Sequence, residues 1–492
     1  MRRMTLLASF AVGALVLAGC SSSSDDEQPA SSAPTPVATP DGPGLADAVT
    51  EAAVVGHLEQ LERIAIDNNG NRAAGTSGYD ASVDYVVDEL ESAGFEVETP
   101  EFEFDQFTAD TQSLSAPDRQ FQVNALTYSP STPGDGLTGR VVPAPKDDSP
   151  GCEATDYTGL DLAGAVVVVD RGVCPFGQKQ TVAADLGAAA VLVVNNEPGP
   201  LDSGTLGGAD VARIPSGGVS QEDGPAVAAA PELTLTLDTE TTTTKSRNVI
   251  AQTKTGNAEN VVVAGAHLDS VPEGPGINDN GSGTAAVLET ALRMGSEPDV
   301  TNAVRFTFWG AEELGLVGST KYVEGLSETD KANIALYLNF DMIGSHNAGY
   351  LAYDGDDSDK VGEPAGPPGS DAIERVFVQR LQQEGIAAEG TDFDGRSDYG
   401  PFIEVGIPAG GVFSGADETK TPEQATKWGG TADETFDQNY HTAEDTLANV
   451  DRAALAENAS AVAYGIGTYA QSVEGQDGVP VGAARTEARS GE

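Results

Sequence analysis

Positive charge is what this sequence has least of: 26 Lys and Arg stand against 77 Asp and Glu, a net charge of −51 over 492 residues. A surface so short of cations excludes polyanions, so neither nucleic acid nor an anionic membrane face is expected as a partner. The acidic excess fits a saline habitat and fits selection for solubility outside the cell equally well. No heptad or exposed apolar stripe argues for assembly, and a monomer is expected. Cysteine occurs three times and histidine four times. So few cysteines exclude a small scaffold built on many disulfides. So few histidines make it improbable that chance alone gathers two of them into one set of motifs.

The chain opens with Arg2 and Arg3, an apolar stretch through Leu17, and then Leu17-Ala18-Gly19-Cys20. This reads as a secretory signal, too short for a membrane span. The tetrapeptide resembles a bacterial lipobox. Cys20 would then be lipidated, become the first mature residue, and hold the protein on the outer face of the cytoplasmic membrane by its lipid alone. The plainer alternative is an ordinary cleaved signal and a secreted product. Residues 21–44, rich in Ser, Pro, Asp and Ala, have too little apolar surface to fold and read as a disordered tether. Setting Cys20 aside leaves Cys152 and Cys174, an even pair in an exported chain, expected to form a disulfide closing a loop of about 22 residues.

From about residue 112 to 244 the composition shifts to Gly, Pro, Ala and Val, with strands expected at 165–169 and 191–194 and a helix over 178–187. Asp170-Arg171-Gly172-Val173-Cys174-Pro175-Phe176 and Ala188-Ala189-Ala190-Val191-Leu192-Val193-Val194-Asn195-Asn196 resemble a protease-associated domain. It offers no acid–base or metal cluster. It is read as a β-rich insertion that partly covers a substrate cleft, with an inert scaffold as the alternative. The flanking segments, 45–111 and 245–472, are long enough together for one large core. Residues 473–492 read as a flexible tail.

The chemistry lies in the second flank. Val261-Val262-Val263-Ala264-Gly265-Ala266 reads as a buried strand with His267 and Asp269 at its carboxyl end. Arg305-Phe306-Thr307-Phe308-Trp309 reads as a second, followed by Glu312-Glu313, and Ala335-Leu336-Tyr337-Leu338-Asn339-Phe340 as a third, followed by Asp341. Open α/β sheets bind ligands beyond the carboxyl ends of their strands, so these residues are expected to converge. Asp279 lies in a Gly-rich turn after His267, and His441 comes from a later loop. Imidazoles and carboxylates are the donors that hard-to-borderline divalent metals select. One carboxylate more than a single tetrahedral ion needs suggests two metals sharing Asp279, and hence a hydrolase. Of the other histidines, His57 is placed on an N-terminal helix and His346 in a polar loop.

Ala266-His267-Leu268-Asp269-Ser270, Asn278-Asp279-Asn280-Gly281-Ser282-Gly283, Trp309-Gly310-Ala311-Glu312-Glu313-Leu314-Gly315 and Asn339-Phe340-Asp341-Met342-Ile343-Gly344, in this order, resemble the M28 family of di-zinc aminopeptidases, secreted Streptomyces-type enzymes above all. The resemblance covers about residues 46–110 and 245–470. It implies an α/β fold with a mixed eight-stranded sheet flanked by helices, two zinc ions, and removal of N-terminal residues from peptides with a free N-terminus. It further implies His267 and Asp341 on one zinc, Glu313 and His441 on the other, and Asp279 bridging. Asp269 would orient His267, Glu312 would be the general base, Tyr440 would donate to the oxyanion, and Arg396 would contact substrate. It also implies a cis peptide after Asp279, a preference for large apolar residues such as Leu, Phe or Met, and, as in some relatives, a role for Ca2+. Streptomyces-type enzymes bracket the histidine loop with a cysteine pair. Here Asn439 and Glu444 flank it, so hydrogen bonds or metal must order that loop. Relatives acting on other amides, and ligand-depleted binding proteins, are the competing readings. The complete ligand set speaks against both.

Overall fold

The structure, a computed structural model, describes residues 38–147, 149–201, 204–360 and 362–490. Cys20, the signal and most of the expected tether lie outside them. Asn257–His267 is the middle strand of the larger domain, with Asn302–Trp309 and Ile334–Asn339 as parallel neighbours on either side. Their residues alternate between two cores. Val262, Ala264, Phe306, Phe308, Leu336 and Leu338 join one, while Val261, Val263, Trp309 and Tyr337 join the other. Both faces are dry, which is why these strands read as unbroken apolar runs. Helices Glu51–Asp67, Gly283–Met294 and Arg452–Gln471 supply the first cover. Helices Val317–Gly325 and Gly400–Glu404 supply the second.

Pairing extends antiparallel through Val249–Gln252 to Val97–Glu98 on one side and parallel to Ala409–Gly410 on the other. At Gly411 that edge strand turns: Val412–Phe413 pairs with Leu351–Tyr353, which pairs with Glu389–Thr391. A Cβ at position 411 would run into the Asn339 carbonyl, so only glycine permits the approach. The strands thus form a six-stranded and a three-stranded sheet joined through one interrupted strand. Counted once, that strand completes the expected eight, in mixed orientation.

Glu101–Ala116 and Glu232–Arg247 pair antiparallel into a long ribbon. Phe102 and Phe104 pack at its base against Ala74 and Ala311, while Leu114, Leu235 and Leu237 enter the core of the inserted domain. The expected edges at 112 and 244 therefore fall inside the ribbon's strands. The insertion completes a curled eight-stranded sheet, with Val166–Asp170, Ala190–Val194 and Ser216–Val219 parallel within it and helix Phe176–Asp185 against it. Cys152 and Cys174 are bonded, with Cα atoms 5.9 Å apart across a sequence separation of 22. Replacing both by serine is expected to lower stability by roughly 3 kcal/mol on loop-closure entropy. Thermal unfolding of the full chain would register the loss while bound zinc stays unchanged. An unaltered melting profile would show that the bond constrains nothing.

Two terminal expectations are corrected. The tether does not run to Gly44: helix Gly42–Ala48 begins earlier, capped by Asp41, whose carboxylate accepts from Gly44 N at 2.8 Å, and Leu45 is fully buried. Nor are residues 473–490 a loose tail. Val473 and Val479 are buried, and helix Gly482–Ser490 is fastened by arginines. Arg485 donates to the Glu259 and Ala332 carbonyls at 3.0 and 2.9 Å. Arg489 donates to the Lys331 and Ile334 carbonyls at 2.6 and 2.7 Å. Guanidinium forks satisfying carbonyls at a helix end are invisible to composition. No helix among the described residues is long and apolar enough to cross a membrane.

Candidate active site

His267 ends the middle strand, and Glu312-Glu313 and Asp341 follow its two neighbours, so the parallel sheet alone brings them together. His267 Nε2 lies 3.2 Å from Asp279 Oδ1 and 3.3 Å from Asp341 Oδ1. His441 Nε2 lies 3.2 Å from Asp279 Oδ2 and 3.0 Å from Glu313 Oε2. Two histidine–carboxylate groups, each compact enough for one cation, thus share Asp279 through its two oxygens.

The bridge is placed by its own segment. The peptide between Asp279 and Asn280 is cis, as the resemblance implied. The Asn280 side chain accepts from Gly283 N at 2.9 Å and from Met342 N at 3.3 Å, and donates to the Phe340 carbonyl at 2.9 Å. It therefore joins the start of helix Gly283–Met294 to the segment that carries Asp341. A Cβ on Gly283 would overlap the Phe340 carbonyl, so the helix can begin here only with glycine.

Asp269 stands where expected but works differently. Its carboxylate is 3.7 Å from His267 Nδ1, which instead meets the Asp269 carbonyl at 3.1 Å. That contact makes Nδ1 the donor and leaves Nε2 as the free ligand atom. The Asp269 carboxylate accepts from the backbone N–H groups of Glu312 at 3.1 Å and Glu313 at 3.4 Å, orienting both glutamates.

Burial pushes the Glu312 carboxyl well above its usual range; His267 opposes this, while Asp398, Glu313 and Asp341 reinforce it. Burial, with Asp279, also lifts Glu313 to about 7, against the pull of His441 and His267. Burial disfavours the charged ring of His267, but Asp341, Glu312, Asp269 and Asp279 outweigh it and hold the imidazole well above its normal value. His441 rises to about 10 in the same way, through Asp279 and Glu313. Negative charge is thus concentrated beyond what the protein's own cations offset. Asp341 Oδ1 and Glu313 Oε1 are buried with no hydrogen-bond partner. Orphaned carboxylate oxygens beside imidazoles fit divalent cations.

Tyr440 stacks on the His441 ring at 3.8 Å between centroids, and its hydroxyl accepts from Arg396 Nη2 at 3.3 Å. Burial and Asp279 keep the phenol protonated by raising it well above its usual range. Arg396 is also paired with Asp417 at 2.9 Å, so its charge is already engaged. His57 is buried, 3.1 Å from Glu289, and His346 faces the Asn449 carbonyl at 3.1 Å; both lie away from the site. Asp354, Asp356 and Glu374 are the further carboxylates among the described residues close enough to share a cation.

Several supporting residues escaped the sequence reading. Arg72 is completely buried and donates to the carbonyls of Leu268, of Pro275 at 2.9 Å and of Gly276 at 2.6 Å, fixing the turn between His267 and Asp279. Burial draws its pKa down to about 10 although Asp269, Asp445, Asp279 and Glu313 oppose this. Asp445 replaces a staple: its carboxylate accepts from Asn278 N at 2.7 Å and Asp279 N at 2.9 Å, while Asn278 Nδ2 reaches Asp437 at 2.7 Å. The histidine loop is thus tied to the bridging segment at both ends. Asp445 directly follows Glu444 at the end of the histidine loop, but nothing local to it indicated its partners. Ser397 Oγ donates to Asp341 Oδ2 at 2.6 Å and accepts from Asn339 Nδ2 at 2.8 Å, turning Asp341 Oδ1 inward. Ser397→Ala is expected to weaken metal affinity or turnover by about 10–100-fold. Titration of the apo-protein with zinc would measure this, and wild-type affinity and rate together would exclude the role.

A parallel α/β core with paired histidine–carboxylate sets at its strand ends is the architecture of a metal-dependent peptidase. Residues 248–466 match peptidase family M28, and residues 137–227 match the PA domain. The chain is 51% identical over 485 residues to the probable lipoprotein aminopeptidase LpqL of Mycobacterium tuberculosis, covering 98% of this chain and 97% of that one. It superimposes on the aminopeptidase from Aneurinibacillus sp. strain AM-1 with TM-score 0.70 and 28% identity, covering 87% of this chain and 95% of the other. The zinc aminopeptidase BSAP of Bacillus subtilis gives 0.61 and 26%, over 87% and 97%. The chain belongs to peptidase family M28 and carries an inserted PA domain. It is a zinc-type metallo-aminopeptidase, a hydrolase of peptides.

Proposed function

We propose that this aminopeptidase works with two zinc ions, His267 and Asp341 holding one, Glu313 and His441 the other, and Asp279 both. The observation that carries this reading is the sharing of Asp279 between two histidine sets, with Asp341 Oδ1 and Glu313 Oε1 buried without a hydrogen-bond partner. When bound, such a pair polarises the scissile carbonyl and makes water more acidic. Glu312 is the general base, its raised proton affinity suiting it to take a proton from the attacking water and return it to the leaving amine. Asp269 positions Glu312 and Glu313 through their backbone. Tyr440 donates its hydroxyl hydrogen to the developing oxyanion. Arg396, bonded to Tyr440 and Asp417, fixes that hydroxyl at the edge of the substrate cleft. The preference for large apolar side chains is supported by Met342, Tyr353, Tyr399 and Phe413 lining the cleft.

The name of the mycobacterial relative, matched nearly end to end, supports a mature chain that begins at a lipidated Cys20 and is anchored outside the cytoplasmic membrane; we take it to be a monomer. We further place the insertion at residues 112–244, within the ribbon, partly screening the cleft. The deciding experiment pairs zinc content with release of free amino acid from aminoacyl anilides and from N-acetylated controls. Two equivalents of zinc and strict dependence on a free amine are expected; cleavage of the blocked substrates would overturn the aminopeptidase reading.

A further inference from the structure

The inserted domain carries a reactive group that the peptidase site does not use, the bond between Cys152 and Cys174. Its two ends sit in unlike surroundings. Cys152 is 6% exposed and packs against helix Phe176–Asp185. Its carbonyl accepts from Gln178 Nε2 at 3.0 Å, and its Sγ lies 3.8 Å from Lys179 Nζ. Cys174 is half-buried and lies in a surface bend just before that helix, next to the exposed Pro175. Its other neighbour, Val173, is 78% exposed. Solvent therefore approaches the bond from the Cys174 end.

Lys179 is the unusual member of the group. It is fully buried, its ammonium donates to the Pro150 carbonyl and faces the Cys152 sulfur, and it forms no ion pair among the described residues. Three donors with one oxygen acceptor and one sulfur leave this cation poorly compensated. Burial lowers its pKa, and Asp156, Asp147 and Asp170 oppose that shift. An anion formed on Cys152 Sγ would give Lys179 the close partner it lacks, and a neighbouring lysine makes a thiol more acidic. Thiol–disulfide exchange proceeds by attack of a thiolate on one sulfur and departure of the other. Its rate depends on which sulfur can be reached and on how acidic the departing thiol is. Here both factors select the same direction.

We propose that Cys174 is a thiolation site: a low-molecular-weight thiolate bonds to Cys174 Sγ, and the Cys152–Cys174 bond breaks with its electron pair going to Cys152 Sγ beside Lys179. One thiolate enters and one is released, so the step needs neither an oxidant nor a proton. It is reversible, because Cys152 stays near, with Cα atoms 5.9 Å apart, and its thiolate expels the added thiol when that thiol is removed. The site is independent of the zinc ligands. To test it, the folded full chain is exposed to excess glutathione, quenched in acid, unfolded and alkylated with N-ethylmaleimide. Mass spectrometry of its peptides should place glutathione on Cys174 and maleimide on Cys152, about 10-fold or more over the reverse. Equal placement, the reverse placement or no glutathione adduct overturns the inference. Lys179→Met keeps the apolar stem and removes the charge, and should slow the opening by about 10-fold; an unchanged rate overturns the inference too. If that variant does not fold, Cys174→Ser decides the same point. Its free Cys152 should be alkylated with a pH midpoint at least about one unit below the ordinary thiol value of about 8.5, and an ordinary or higher midpoint overturns the inference.

Discussion

Glu312→Gln is expected to bind zinc like the wild type and to lose about 10²–10⁴ in kcat, because the ligand atoms stay while proton transfer goes. Glutamine keeps the shape and the backbone N–H that Asp269 accepts at 3.1 Å, so the change is confined to the carboxyl's ability to carry a proton. That carboxyl is buried, with its proton affinity raised by burial and by Asp398, Glu313 and Asp341. KM should change little, since Glu312 is not assigned to binding. A zinc-replete Glu312→Gln enzyme turning over at near the wild-type rate would remove Glu312 from the role of base.

Asp279→Asn should do what no other single ligand change does and damage both metal positions at once. Its two oxygens lie 3.2 Å from His267 and 3.2 Å from His441 respectively, so in the proposed two-zinc arrangement one side chain would serve both cations. Replacing one anionic oxygen by an amide nitrogen removes negative charge from the carboxylate shared by both histidine sets. Zinc content after dialysis should drop well below one equivalent, and activity at saturating substrate by at least about 100-fold. His441→Ala is the control: it should empty mainly the position shared with Glu313 and leave about one equivalent bound. If Asp279→Asn retained one equivalent at wild-type affinity, the bridged arrangement would be wrong.

Much of this was legible in the sequence because it is local. The three central strands are runs of β-branched and aromatic residues, and the ligands follow their ends at once. The Gly-rich segment after His267 signals a turn that must bring a carboxylate close to backbone. The expected strands at 165–169 and 191–194 appear as Val166–Asp170 and Ala190–Val194, the first displaced by a residue and the second longer by one at its start, because strand ends depend on neighbours rather than on propensity. Helix Phe176–Asp185 begins two residues before the expected position, where Pro175 supplies the helix boundary.

The sequence by itself determined the candidate donor residues and the α/β class, since residue type and position after each strand suffice for both. Only the tertiary structure decided how the donors are held. Arg72 reaches Pro275 across 203 residues, Asp445 reaches Asp279 across 166, and Ser397 reaches Asp341 across 56. None of the three is marked by periodicity, charge run or motif, because a hydrogen bond to a partner distant in sequence leaves no trace in the residues on either side of it. The same reason explains the C-terminal helix. Its composition is that of a solvated tail, and it is ordered by Arg485 and Arg489 meeting carbonyls more than 150 residues away, partners that exist only after the sheet and the helix Glu328–Asn333 have formed.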